Sequence, residues 1–208
     1  LGDALENVEK NRGETLDLEG LDTDNEKVYE LLSRGDTLGV FQLDSGGMQE
    51  LLKRMKPTGF NDIVASLALY RPGPMGVNAH VNFALRKNGK QEPTPLDPQL
   101  KGKLQPQMEE ALGPILGTTY GLCIYQEQVM AIAQRVAGYT LGQADILRRA
   151  MGKKDAKAMS AHRVKFVEGC GNNGISEDIA TVVFDKIAKF AEYGFNKSHA
   201  AAYSVLSF

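Results

Sequence analysis

The chain has 208 residues, 42% of them hydrophobic and 24% charged, which is long enough to bury a core and too apolar for a disordered chain. No apolar run approaches the ~20 residues that cross a bilayer, and Leu1 opens no recognisable signal peptide, so a soluble cytoplasmic protein with no membrane partner is expected. The net charge of −2 is unevenly spread: residues 1–36 hold four cations against eleven carboxylates, a net of −7, whereas residues 135–171 hold eight against three, a net of +5. Such asymmetry can focus a local field on a phosphate-bearing ligand. Cys123 and Cys170 stand in unlike settings with no His or Cys at metal-ligand spacing, so both read as reduced structural thiols.

Thr23 and Glu26 have the spacing of a capping box and predict a helix over 27–33 with Val28, Leu31 and Leu32 on its apolar side. After a turn at Gly35 and Asp36, residues 37–43 are short and apolar and predict a strand. Helical spacing returns over 48–56 with Leu51, Leu52 and Met55, and Pro57 ends it. Asn61 is the expected N-cap of a third helix through Ile63, Val64, Leu67 and Leu69, stopped by the bend YRPGPM (70–75). Five prolines between 89 and 114 predict a mostly irregular connection with one short helix.

Residues 119–125 predict a second strand, and QEQVMAIAQRVAG (126–138) a helix stopped at its glycine. Thr140 with Gln143 forms another capping box, opening a helix through Ala144, Ile146 and Leu147. Two more helices are expected, over 156–170 and from Ser176, the latter burying Ile179, Val183, Ile187 and Phe190. The fold class is therefore mainly α with one or two short β pieces. Asp22 and Asp24 mimic a metal-binding pair, but they flank a helix start, where carboxylates, like Glu177 and Asp178 further on, complement the helix dipole. His80 and His162 show no partner and read as surface residues.

The densest basic motif is LRRAMGKK (147–154), four fixed cations within seven residues at a helix end. Arginine forks hold two oxygens at once and keep their charge near neutral pH, which suits a polyphosphate. Cations also favour the last helical turn for the macrodipole alone. Arg149 and Lys153 share a face at i, i+4, whereas Arg148 points about 100° away, so the two arginines cannot both lie idle on one solvated stripe.

Four blocks stand in order: GDTLGVFQLDSGGM (35–48), YRPGPM, TYGLCIYQEQVM (119–130) with LRRAMGKK, and YGFNKSHAAAY (193–203). Together they closely resemble the C-family replicative polymerases, the alpha subunits of bacterial DNA polymerase III, over nearly the whole chain. The resemblance implies a polymerase fingers region, with an acidic lead-in over 1–58 that follows the palm and a main helical body over 59–208. Palm and thumb are absent, so no catalytic residue and no metal ligand is expected in this piece, and it should be inactive alone. Mg2+ would serve the full-length enzyme from residues outside it.

The resemblance assigns Arg148 and Arg149 to the triphosphate of an incoming dNTP, with Lys153 and Arg71 as further cations. Ser198 can cap a helix through the alanines, leaving amides beside Lys197 and His199 for phosphate contact. Tyr120, Tyr125, Gln126 and Asn196 are candidates for base or template contact, aromatic faces accepting any base. The implied partners are template-primer DNA and dNTP, and in the full-length protein the sliding clamp, the proofreading exonuclease subunit and other replicase subunits. A stand-alone nucleic-acid-binding helical module and an interaction scaffold remain as alternatives.

Overall fold

The computed structural model describes residues 1–96, 98–153 and 155–208. Lys154 of the basic motif lies outside the described residues. The first helix, α1 (Gly2–Arg12), buries none of its residues. The chain continues through α2 (Glu26–Arg34), α3 (Gly46–Met55), α4 (Phe60–Leu69), the single turn α5 (Pro72–Gly76) and α6 (Ala79–Lys87). Then come α7 (Pro106–Leu116), α8 (Gln126–Ala137), α9 (Leu141–Lys153), α10 (Ala156–Asn172), α11 (Glu177–Ala191) and α12 (Lys197–Ser207). Among the described residues, no helix is long and apolar enough to cross a membrane.

Several helix starts differ from expectation. Asn25, not Thr23, caps α2 by accepting from the Lys27 N–H at 3.1 Å, while the Thr23 carbonyl accepts from the buried Tyr29 hydroxyl. Asn61 does not cap α4. Asp62 instead accepts from the Thr58 N–H at 2.8 Å and holds Lys87 Nζ at 3.2 Å, tying the start of α4 to the end of α6. Between 89 and 114 the chain is less irregular than its prolines suggest: α7 opens with Pro106 and runs on through Pro114 near its end, where one lost hydrogen bond matters least.

Neither expected strand forms. Residues 37–43 curl back on themselves, with the Val40 N–H on the Thr37 carbonyl, the Leu43 N–H on the Val40 carbonyl and Gln42 at φ 63°, a left-handed geometry outside the extended region of a regular strand. Residues 119–125 turn through Tyr120 at φ 53°, and among the described residues their only ladder contact is an isolated parallel bridge between Tyr125 and Phe195. The amides that a sheet would have satisfied go to a side chain. Gln128, 6% exposed, accepts from the Ile124 and Tyr125 N–H groups at 2.8 and 3.0 Å and donates to Thr119 Oγ1 at 2.7 Å and the Ile115 carbonyl at 3.1 Å.

Two apolar cores result. The first gathers the buried faces of α2, α3, α4 and α6, joined by Ala200 of α12; the second gathers α7 to α11 around Phe166, Phe184, Ile132 and Leu112. The first core runs across residue 58 without a break. The segment 122–125 threads between the two, with Leu122, Ile124 and Tyr125 in the first and Cys123 in the second. Both cysteines are free and buried, and burial pushes each thiol up to about 12. The two histidines read as surface residues are half-buried: the His162 carbonyl accepts from the Tyr139 hydroxyl at 3.1 Å, and His80 Nδ1 is buried without a hydrogen-bond partner.

The second core rests on a close helix approach at Gly169, where an added Cβ would lie 2.1 Å from the Ala137 carbonyl oxygen. Gly171, two residues on, has open space around it. Gly169→Ala is therefore expected to destabilise the chain by about 1–3 kcal/mol through overpacking. Gly171→Ala should change stability in the opposite direction, by up to about 1 kcal/mol from helix propensity. Urea titration of both variants checks the pair, and equal effects would contradict the packing described.

Candidate functional site

The capping box before α9 is formed as the spacing implies: the Thr140 N–H donates to Gln143 Oε1 at 3.1 Å, and the Gln143 N–H to Thr140 Oγ1 at 3.3 Å. This fixes the rotation of α9 and hence where its arginines point. Arg148 turns inward, its side chain 26% exposed, while Arg149 stays outward at 66%. One carboxylate lies between them. Asp145 Oδ1 accepts from Arg148 Nε and Nη2 at 3.0 and 2.7 Å, and its Oδ2 meets Arg149 Nη2 at 2.8 Å. These hydrogen bonds, Arg148's first, hold the Asp145 carboxyl below its ordinary pKa against an opposing desolvation. Lys153, in the last turn, is exposed and has no ion pair among the described residues.

Arg148 also reaches α8, donating from Nη1 to Gln126 Oε1 at 3.1 Å. Gln126 is the junction of the site. Its own N–H donates to the Phe195 carbonyl at 2.9 Å and its side-chain amide to the Gly194 carbonyl at 3.2 Å, while the Phe195 N–H returns to the Ile124 carbonyl at 3.0 Å. The arginine pair and the YGFNKSH segment, distant in sequence, are thus stitched together through the start of α8.

The start of α12 departs from the sequence reading. Asn196 is the cap, its Oδ1 accepting from the His199 N–H at 2.7 Å, and Ser198 lies exposed one residue inside the helix. The Lys197 N–H is held by both carboxylate oxygens of Glu127 at 3.1 Å. Two of the amides expected to await phosphate are therefore already satisfied, one by a negative charge. Lys197 Nζ sits 5.5 Å from the centre of the Tyr125 ring.

Arg71 is anchored rather than free. Its Nε donates to the Ala68 carbonyl at 3.0 Å, its Nη2 to the Tyr193 carbonyl, and its guanidinium stacks 4.3 Å over Phe195. Burial lowers its pKa from the usual value. Gly73 of YRPGPM permits this approach, since a Cβ there would lie 2.6 Å from Tyr193 Cβ. From Phe195 a run of rings continues: His199 at 5.5 Å, Tyr203 a further 4.4 Å on, then Phe41 at 5.6 Å. With Arg71 they line a cleft of about 770 Å³.

Of the residues read as base or template contacts, Tyr125 is only 3% exposed and belongs to the core, and Tyr120, partly buried, packs against that core edge-on to Phe83 at 5.1 Å. Phe41 and Tyr203, which sequence reasoning passed over, face the cleft instead. Asp145 and Glu127 were also missed as site residues; the signal was present in Asp145 at i−3 and i−4 from the arginine pair. Asp22 and Asp24 close a local turn, the Asp24 N–H donating to Asp22 Oδ1 at 3.0 Å.

This chain matches a family model described as the bacterial DNA polymerase III alpha subunit finger domain over residues 1–174. It belongs to that family. It is 55% identical to DNA polymerase III subunit alpha of Mycobacterium leprae over 208 residues, 49% to that of Thermus aquaticus over 208, and 46% to that of Escherichia coli K12 over 209. Each match covers 99–100% of this chain but only 16–17% of the relative's length. The finger domain is thus a mainly helical unit, and two of the four blocks that carried the resemblance, 119–130 with 147–154 and 193–203, are stitched together at Gln126.

The arginine bridge has a pH signature in this finger domain. A depressed carboxyl contributes stability that is present above its unfolded pKa and is lost as pH falls through the lower folded value. Carbon-detected NMR is expected to find Asp145 titrating below the ordinary aspartate range. Arg148→Ala should move it up further than Arg149→Ala does, because Arg148 makes the larger contribution. An Asp145 midpoint indifferent to both changes would contradict the bridge.

Proposed function

We propose that this finger domain grips the triphosphate of an incoming deoxynucleoside triphosphate through Arg148 and Arg149, within a DNA-directed DNA polymerase that extends a primer on a template. The observation that carries the reading is the carboxylate bridge: two guanidinium groups are already oriented around one anion, and Arg148 is tied through Gln126 to the Gly194–Phe195 segment. A triphosphate presents more charge and more acceptor oxygens than the single Asp145 carboxylate, so it can take over the same donors with little rearrangement.

The work of the pair is electrostatic, neutralising the β and γ oxygens as charge builds on the leaving pyrophosphate. Lys153, exposed one turn further along the helix, adds to the same field. Arg71 acts on position rather than charge, holding Phe195 at the edge of the ring-lined cleft that would receive the base. Mg2+ does not fit the carboxylates near the arginines, since Asp145 is committed to Arg148 and Arg149 and Glu127 to the Lys197 N–H. Among the described residues, no group of three or more His, Cys, Asp and Glu side chains has metal-binding geometry. The resemblance assigns the metal chemistry to palm carboxylates of the longer polymerase, and the contacts to the clamp and the proofreading subunit to its other parts.

Calorimetric titration with a dNTP and with inorganic tripolyphosphate tests the assignment. Arg148→Ala and Arg149→Ala should each weaken both ligands by about 10- to 100-fold, the scale of one lost charged hydrogen-bonding partner. Lysine at either position should restore only part of the loss, because it lacks the fork. Unchanged affinity in both alanine variants would remove the proposal.

A further inference from the structure

The most basic stretch of the chain is not the one around the arginine pair. Residues 53–90 hold seven cations against the single carboxylate of Asp62, a net of +6. The fold engages three of the seven internally: Arg71 with the Ala68 and Tyr193 carbonyls, Arg86 with Thr94 and the Tyr120 carbonyl, and Lys87 with Asp62. The remaining four converge. The C-terminal ends of α3 and α6 lie side by side, tied by Asn88, whose Nδ2 donates to the Arg54, Met55 and Ala84 carbonyls at 3.0, 3.2 and 2.7 Å. Across that junction Lys53, Arg54, Lys56 and Lys90 line a hollow of about 350 Å³ that contains no carboxylate in its lining.

Helix dipoles explain only part of this. Lys53 and Arg54 occupy the last turn of α3, where a cation is favourable, but Lys56 lies beyond that helix and Lys90 three residues past the end of α6. Lys53 is partnered by Glu50 at 3.0 Å, whereas Arg54, Lys56 and Lys90 are exposed and have no ion pair among the described residues. Like charges gathered on a concave surface raise one another's energy and focus a positive field outward, a cost that a bound polyanion relieves.

We propose that this hollow seats the sugar–phosphate backbone of a DNA strand, at a surface separate from the arginine pair of α9. Cations drawn from two helix ends can meet successive phosphates of one strand, which a single phosphate would leave mostly unmatched. The lining offers no exposed aromatic face, so the contact is to backbone and not to bases, and it carries no sequence preference. No residue is shared with the nucleotide site, and the inference stands whether or not Arg148 and Arg149 bind a triphosphate.

Fluorescence anisotropy with a labelled duplex and a labelled single strand, across a series of potassium chloride concentrations, is the test. The combined Arg54→Ala, Lys56→Ala, Lys90→Ala variant should bind at least about tenfold more weakly at low salt. Its log–log salt slope on duplex should be smaller by about 2–3 than that of the unaltered chain, at roughly 0.9 for each phosphate no longer neutralised. Lys90→Ala alone, outside any helix, should remove about one unit of slope. Replacing Lys56 and Lys90 by arginine should preserve the slope. Tripolyphosphate affinity should stay unchanged in all of these variants and fall in Arg148→Ala with Arg149→Ala. Absence of DNA binding by the unaltered chain, an unaltered slope in the combined variant, or a parallel loss of tripolyphosphate binding would each overturn the proposal.

Discussion

Gln128 is the side chain on which the geometry of the site depends. Its buried amide accepts from two consecutive backbone N–H groups, Ile124 and Tyr125, and donates to Thr119 and to the end of α7. An apolar residue there would strand two buried donors at about 1–3 kcal/mol each, and the segment between the two cores would have no reason to hold its course. Because that segment is fixed, α8 begins at Gln126 in one orientation. Gln126 can then meet Arg148 on one side and the Gly194–Phe195 backbone on the other.

The donors of the candidate site are satisfied in the structure by the protein's own carboxylates. Asp145 lies between the two arginines and Glu127 caps the amide at the start of α12. Partly exposed pairs of this kind contribute little net stability, because water and side-chain entropy compete with them. That weakness suits the proposed exchange of the internal anion for a triphosphate: it keeps the guanidinium planes ordered without binding them tightly. Arg71 is the contrast. Its donors go to two backbone carbonyls and its face to Phe195, so it is built into the frame rather than held in reserve.

The helices with one clear apolar stripe and a glycine or proline stop, α2, α3 and α8, were legible in the sequence, as were the apolar stripe of α11 and the capping box before α9. The two expected strands were not strands because short apolar runs satisfy the same local pattern whether their amides pair with a neighbour or with side chains, and only the tertiary fold decides. Residues 119–125 found Gln128; residues 37–43 closed on themselves. The helix α6 had no simple apolar stripe, since its buried face includes Arg86. For the site, the arginine pair was readable from charge density. Phe41 and Tyr203 were not, because stacking across 162 residues of chain leaves no local signal.

Net charge misleads for the same reason. An overall −2 conceals an acidic amino-terminal stretch and two basic ones, and the more basic of the two is the one whose cations the fold sorts into opposite uses. Arg86 and Lys87 are adjacent in sequence, yet one is buried among carbonyls and the other closes on Asp62, and both leave the surface field. Arg54 and Lys90 are far apart in sequence, yet Asn88 brings their helix ends together and leaves both facing solvent. What a polyanion meets is therefore set by which cations the backbone fails to engage. A count of lysines and arginines along the chain carries none of that information, and the hydrogen bonds of one asparagine carry most of it.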